Sequence, residues 1–224
     1  MNDSIASIAR SLSADVRELG DLSQNVANMT TPGYRALRGS SDFLAGVEAG
    51  GRVDTRDGAL MHTGRPLDVA LQGDGYFEVQ VGDHVYLTRS GQFRRDVNGA
   101  LVDANGRQVL GTDGPITTDS DDITIGEDGT LKAGTEAIGQ LAVVDVATAD
   151  AIRPAGDGLY EATGDLTTGA AHVFQGALEG SNVDPGHEMV RLMELTRHAG
   201  SVQHAITAYH ATVLAGIDEL GKDS

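Results

Sequence analysis

The chain contains no cysteine. Disulfides, thiol catalysis and cysteine-ligated zinc or iron–sulfur sites are therefore excluded. Basic residues are scarce beside acidic ones. Lys and Arg number 16 against 33 Asp and Glu, a formal net charge of −17. A field of that sign repels a phosphate backbone and an anionic membrane surface, so nucleic acid is not an expected partner, nor is a membrane. No apolar run approaches the ~18 residues of a membrane span, so membrane insertion is not expected. Residues 1–10 lack a basic stretch followed by an apolar one, which argues against an ordinary secretory signal. The expectation is a cytoplasmic chain or one exported by a route that does not read such a signal.

What is present points to a divided architecture. The 224 residues allow one large domain or two small ones, and 40% apolar content makes the core small or divided. Thirty glycines without a three-residue period mean many turns and exclude collagen.

Both ends have a helical period. Ile5, Ile8, Leu12, Leu19, Leu22, Val26 and Met29 fall on alternating three- and four-residue steps, broken only at Asp15. Such steps are the a/d seam of a coiled coil. Asp3 or Ser4 is the expected cap, and Thr30-Thr31-Pro32-Gly33 the expected stop. Near the C-terminus Leu192, Leu195, Ala199, Val202, Ile206, Tyr209, Val213 and Leu220 keep the same steps. Asp184 can cap this helix, with Pro185 at the first helical position. Neither stripe can be buried by its own helix. The two could pair within the chain, but a strict seam on both suggests bundles shared with other molecules.

The middle, from about residue 65 to 175, alternates short β-rich runs with turn dipeptides such as Asn98-Gly99, Asn105-Gly106 and Asp128-Gly129. It predicts an all-β domain of about eight to ten strands, with its best core strand at residues 139–146. Residues 37–63 hold little that builds a core and read as an extended connector, in part a hairpin. The expected fold class is α+β, an all-β central domain flanked by long terminal helices that pair as a coiled-coil-like bundle. The expected segments are 1–36 for the N-terminal helix and turn, 37–63 for the connector, 64–176 for the β domain and 177–224 for the C-terminal helix.

Chemistry finds little support. His187-Glu188 begins like a metalloprotease helix, but Arg191 stands where the second His belongs. His198, His204 and His210 are six apart, which does not put all three on one helical face. Asp119, Asp121 and Asp122 invite a calcium loop, yet Thr124 and Thr130 occupy the required Gly and Glu places. Gly73-Asp74-Gly75 precedes a strand and no Lys follows it, so it is not a phosphate loop. No nucleophile-elbow Gly-x-Ser-x-Gly occurs. No catalytic residue, metal site or cofactor is expected. On residues alone a self-assembling filament subunit competes with a soluble β-domain hydrolase and an acidic binding module. A hydrolase needs a convergent acid, base or nucleophile set, and a binding module has no need of two heptad ends.

The ends also carry motifs. Asn25-Val26-Ala27-Asn28-Met29-Thr30-Thr31-Pro32-Gly33-Tyr34 resembles the N-terminal signature of flagellar basal-body rod and hook proteins, with Asn25, Asn28, Pro32, Gly33 and Tyr34 forming its turn. Residues 178–190, from Leu178-Glu179-Gly180-Ser181-Asn182-Val183-Asp184-Pro185 to Glu188-Met189-Val190, are similar to that family's entry into its last helix. Thr63 to Phe77, Thr88 to Phe93 and Gly106 to Gly111 follow in the family's order. Within it, Arg65 to Gln72 and the short connector look most like the proximal rod members, with distal rod and hook-type members next. The resemblance implies a structural subunit of the rod that assembles with itself and other axial proteins. It also implies export by the flagellar type III apparatus without a cleaved signal. The two stripes listed above, from Ile5 to Met29 and from Leu192 to Leu220, would then be its assembly interface.

Overall fold

The computed structural model describes residues 2–39, 51–120 and 122–220, with side chains described for 9–39, 51–120, 122–148 and 150–208. The chain separates into two units, one of residues 1–26 with 184–224 and one of residues 27–183.

The larger unit is a β structure. Every strand pairing described is antiparallel. Its main sheet runs in the order Ile152–Gly156, Leu159–Ala162, His84–Thr88, Tyr76–Val81, Gln108–Gly111, Leu101–Val102 and Arg94–Arg95. Side chains alternate across the strand Tyr76–Val81, so its two first residues enter different cores. Phe77 joins Val69, Leu71, Val79, Phe93 and Leu131 in the larger core and meets Phe93 edge-on at 5.1 Å. Tyr76 joins Leu37, Val53, Leu87 and Tyr160 in a second one and meets Tyr160 edge-on at 5.7 Å. The core is divided, as the modest apolar content implied.

The turns follow from their sequence. Asp96 Oδ1 accepts the N–H groups of Asn98 and Ala100 at 2.9 and 2.8 Å. Asp103 Oδ1 accepts those of Asn105 and Arg107, both at 2.9 Å. An aspartate two residues ahead of Asn-Gly thus closes both hairpins.

Three expectations for the β unit need correction. Among the described residues fifteen strands, not eight to ten, lie between Val69 and Gln175, several of them only two or three residues long. The expected strand 139–146 is two, Glu136–Gln140 and Val143–Val146, which belong to different sheets. Residues expected to contribute little core do contribute. Leu37 and Val53 pair across the strands Leu37–Arg38 and Arg52–Val53 and are buried, while Leu60–His62 pairs with Ala177–Glu179. Residues 40–50 of that segment lie outside the described residues.

The smaller unit holds the two α-helices described, α1 at Asn2–Ala27 and α2 at Pro185–Leu220. Asp184 caps α2, its Oδ1 accepting N–H from Gly186 at 2.8 Å and His187 at 3.2 Å. Asp3 and Ser4 do not cap α1, since both lie within it.

The expected α+β class, with long terminal helices paired as a coiled-coil-like bundle, is overturned. The protein is mostly β-sheet with two helices, and these do not form a long coiled-coil pair. Leu12 and Leu19, which a coiled-coil seam would bury, are each 47% exposed, and Val26 and Leu192 are also open. The helices run antiparallel and meet through polar groups. Asn25 Nδ2 donates to Glu188 Oε2 at 3.3 Å and Arg191 Nη2 to Glu18 Oε1 at 2.7 Å, while His198 Nδ1 lies 2.9 Å from Asp15 Oδ2. The less exposed line of α1 carries Ser11, Ala14, Asp15, Glu18, Asp21, Leu22 and Asn25. Five of these seven are polar, and knobs-into-holes packing needs apolar knobs there.

The two kinds of apolar position should respond differently to truncation. Phe77→Ala, in the larger core, is expected to cost about 3–5 kcal/mol. Leu12→Ala, half open to water, should cost about 1 kcal/mol or less. Urea unfolding of the full chain at low protein concentration checks both, and equal losses would contradict the open-seam description.

Candidate functional site

The family-like turn after α1 is closed by its own residues. Thr31 N donates to Asn28 O at 3.0 Å and Thr31 Oγ1 to Asn28 Oδ1 at 3.1 Å. Gly33 then turns with φ +69° and donates its N–H to Glu179 O at 2.8 Å. A Cβ at Gly33 would come within 2.3 Å of the Arg89 carbonyl carbon. Glycine is thus required here both for the left-handed backbone and for the close approach. Tyr34 is buried, and its carbonyl accepts Asn182 N at 3.2 Å. Asn182 spans the same place with its side chain. Its Oδ1 accepts Ala36 N at 2.6 Å and its Nδ2 donates to the carbonyls of Asp54 and Arg56. The chain therefore enters and leaves the β unit side by side.

Beneath that crossing lies a group of charges that the sequence reading did not single out. Arg35, Arg89 and Glu179 are at most 2% exposed. Glu179 Oε1 lies 2.9 Å from Arg35 Nη2 and its Oε2 2.8 Å from Arg89 Nε. Asp57 Oδ1 accepts from Nη2 of both arginines at 2.9 Å. Glu179 balances one of the two buried arginines, and Asp57, 37% exposed at the edge of the group, brings the sum of the four charges to zero. Backbone groups take much of the remaining capacity. Arg35 Nη1 donates to Thr55 O and Arg89 Nη1 to Gly73 O, both at 2.9 Å, while Glu179 Oε1 accepts Gly58 N at 2.7 Å. Arg35 N donates to the Tyr160 hydroxyl at 3.0 Å, and burial pushes the Tyr160 hydroxyl pKa up.

Two aspartates of this region titrate low. Burial alone would raise Asp57. The Gly73 N–H, the Arg35 hydrogen bond and the Arg89 charge outweigh it and hold the carboxyl below its ordinary range. Asp54 falls to about 2, chiefly through its hydrogen bonds from Arg56. A polar cleft of about 230 Å³ opens beside the four charges, with Arg35, Asp74, Tyr76, Arg89 and Asp145 in its wall. Both arginines there are already paired, and no nucleophile–base pair converges on it. The arrangement holds backbone in place and performs no evident reaction. Among the described residues no group of three or more His, Asp or Glu could hold a metal ion, and Asp121 lies outside those residues.

The expected interface residues fall into two sets. Leu12, Leu19, Val26, Leu192 and Ala199 are exposed, whereas Leu22 is buried and Met29, Leu195, Val202 and Ile206 are half-buried. The side chains of Ile5, Ile8, Tyr209, Val213 and Leu220 lie outside the described residues. Asn25 of the motif is buried on Glu188 of α2, and Pro32 is half-buried in the turn. Four exposed apolar residues, Val16, Met189, Val190 and Met193, were missed because they stand off the strict heptad steps. Arg35 and Glu179 did carry a signal: each is a charge directly within or beside a motif of small and apolar residues.

Comparison with known proteins gives two family matches. Residues 70–133 match the flagellar hook protein FlgE/F/G D1 domain, and residues 175–210 match the flagellar basal body rod FlgEFG protein C-terminal region. The chain is 30% identical to the flagellar basal-body rod protein FlgF of Caulobacter vibrioides, covering 92% of this chain and 93% of that one. It is 31% identical to FlgG of Bacillus subtilis, over 85% and 88%, and 33% identical to FlgF of Salmonella typhimurium, over 82% and 84%.

Removing Glu179 strands two buried arginines. Glu179→Ala should cost about 3–5 kcal/mol, whereas Arg52→Ala, which breaks the exposed Arg52–Asp150 pair, should cost about 1 kcal/mol or less. Denaturant midpoints of the two variants check this. Acid should act through the depressed carboxyls. Asp54 and Asp57 bind protons more readily unfolded than folded, so their contribution is complete above pH ~4 and is lost as pH falls through the folded values, about 2 for Asp54. Unfolding free energy measured from pH 5 to pH 2 should decline, and Asp57→Asn should flatten the decline.

Proposed function

The chain belongs to the family of flagellar basal-body rod proteins, and on that premise we propose how it serves as a subunit of the rod. It is a structural protein of the flagellar basal body rather than an enzyme, and it assembles with other flagellar axial proteins. The observation that carries this is the 30% identity to a FlgF protein along 92% of the chain, helices included. FlgF and FlgG relatives are about equally similar, so identity establishes the family and not the axial position.

Assembly proceeds, in our reading, through the terminal helices, with residues 1–36 and 177–224 as the assembling segments and 64–176 as the β domain. Support comes from the apolar side chains that the helices leave in water, Leu12, Leu19, Val26 and Leu192 among them. A surface of that kind on one subunit meeting a different surface on the next builds an open helical filament. The same contacts would carry torque from motor to hook. The rod would lie in the periplasm and its subunits would leave the cytoplasm through the flagellar type III apparatus without a cleaved signal.

Two experiments follow. A tagged full chain should be found in purified basal bodies, and loss of the chain should leave cells without motility. Basal bodies that lack the chain would contradict the proposal. Self-association should also rise with salt. Subunits of charge −17 repel one another, and raising ionic strength to physiological shortens the screening length to ~8 Å. Burial of apolar faces depends little on modest salt. The sedimenting fraction at fixed protein concentration should increase, and its loss with salt would mean that ion pairs hold the contacts.

A further inference from the structure

We propose that the strand Leu60–His62 of one copy pairs edge to edge with the strand Leu166–Thr168 of a second copy, joining their β units into one antiparallel sheet. The inference concerns the β unit and adds a contact that the helices do not make. Its choice of partner rests on the rod-subunit reading.

Both strands end a sheet. Leu60–His62 pairs with Ala177–Glu179 and Leu166–Thr168 with Val143–Val146, and among the described residues no strand pairs with the outer edge of either. An unpaired edge presents free backbone donors and acceptors, which proteins commonly blunt with charge, proline or a covering group. Other edges here are blunted. Arg94–Arg95 carries two cations, Ile152–Gly156 carries Arg153 and Pro154, and the Gln175 side chain binds the backbone of Ile123 and Ile125. Leu60–His62 and Leu166–Thr168 contain no Lys, Arg, Asp, Glu or Pro. Leu60, Met61 and Leu166 are 43%, 47% and 39% exposed.

The register follows from the bonds already made. In an antiparallel ladder, residues that exchange N–H···O bonds with the neighbouring strand alternate with residues that turn these groups away. Thr63 N donates to Gly176 O and Gly180 N to Ala59 O, both at 2.8 Å. Met61 therefore faces Leu178, and Leu60 and His62 turn their N–H and C=O outward. Gly169 N donates to Val143 O at 2.9 Å, so Thr167 faces Asp145, and Leu166 and Thr168 turn theirs outward. The two edges thus offer the same spacing. Leu60 bonds Thr168 and His62 bonds Leu166, with Met61 opposite Thr167 between them.

Charge selects this pairing. Each copy carries −17, so copies meet best where carboxylates are few. Residues 59–66 are all exposed and include His62 and Arg65 but no Asp or Glu. The other edge carries Asp165 beside Leu166 and no basic residue. In the antiparallel register Arg65 and Asp165 lie at the same end of the ladder, and Ala59 and Gly169 meet at the other without bulk. A parallel register would separate the two charges. Pairing either edge with itself closes a dimer and leaves the other edge bare, whereas pairing the two different edges repeats along a filament.

The test uses the lack of native cysteine. Met61 and Thr167 would form a non-hydrogen-bonded pair, whose Cα atoms come to about 4.5 Å, within reach of a disulfide. Cells would carry two full-length versions, Met61→Cys and a size-tagged Thr167→Cys, and purified basal bodies would be treated with a mild thiol oxidant. The expected product is the mixed disulfide, one chain of each version. It should be lost when the tagged version also carries Thr168→Pro, which removes an outward N–H that the subunit itself does not use and should leave its melting temperature unchanged. No mixed disulfide, self-dimers alone, or an unchanged yield with Thr168→Pro overturns the pairing. Basal bodies without the chain would overturn the rod assignment instead. The pairing would then be read from the same oxidation of concentrated purified chains, where the mixed disulfide supports it and its absence overturns it.

Discussion

Three buried charges contributed by distant stretches of chain, Arg35, Arg89 and Glu179, must meet at one point of the β unit together with the more exposed Asp57. Any three without the fourth leave a charge in a low-dielectric interior, where an unpaired ion costs several kcal/mol. Arg35 follows the turn after α1, and Glu179 sits in the strand that leads back towards α2. Satisfying this one condition brings the two ends of the β unit together. It places Gly33 against the Arg89 backbone, where only glycine fits, and it brings Asn182 within reach of the backbone on both neighbouring stretches. A network of this sort adds little net stability compared with apolar packing, but a chain threaded in a different order could not form it.

The helices obey an opposite rule. Inside the subunit they meet through Asp15, Glu18, Asn25, Glu188, Arg191 and His198, and they turn apolar side chains outward. Polar contacts between exposed helices are each worth little, on the order of 0–1 kcal/mol. They suffice to set a register without consuming the apolar surface. The area left in water is a liability for a monomer and an asset for a subunit that is completed only by assembly.

Much of this was readable in the sequence, and the failures have definite causes. Asp184-Pro185 announced the start of α2, Thr31-Pro32-Gly33 the end of α1, and the Asx-Gly dipeptides the hairpins, because capping and turn chemistry are local. Strand number was underestimated because two-residue strands such as Arg94–Arg95, Leu101–Val102 and Gly114–Pro115 are too short to show alternation. The seam was misread for a geometric reason. Three- and four-residue steps identify a helical stripe, yet Val26, Leu19 and Leu12 lie about 40–80° around the helix from the buried Leu22, far enough to face water, and the steps ran through both sets. Arg35 and Glu179 stood out beside their motifs, but their pairing in the ion network lay beyond sequence reading. Nothing in a chain with 33 acidic residues says which one will meet Arg35 from 144 positions away.

The central claim is that the outward apolar face of the helices is open in the subunit and closed in the rod. Labelling Leu19→Cys with a water-soluble maleimide tests it directly, since no other thiol is present. The account predicts rapid labelling of the purified, dilute subunit and strong protection of the same residue in isolated basal bodies. Equal labelling rates in the two states would contradict it.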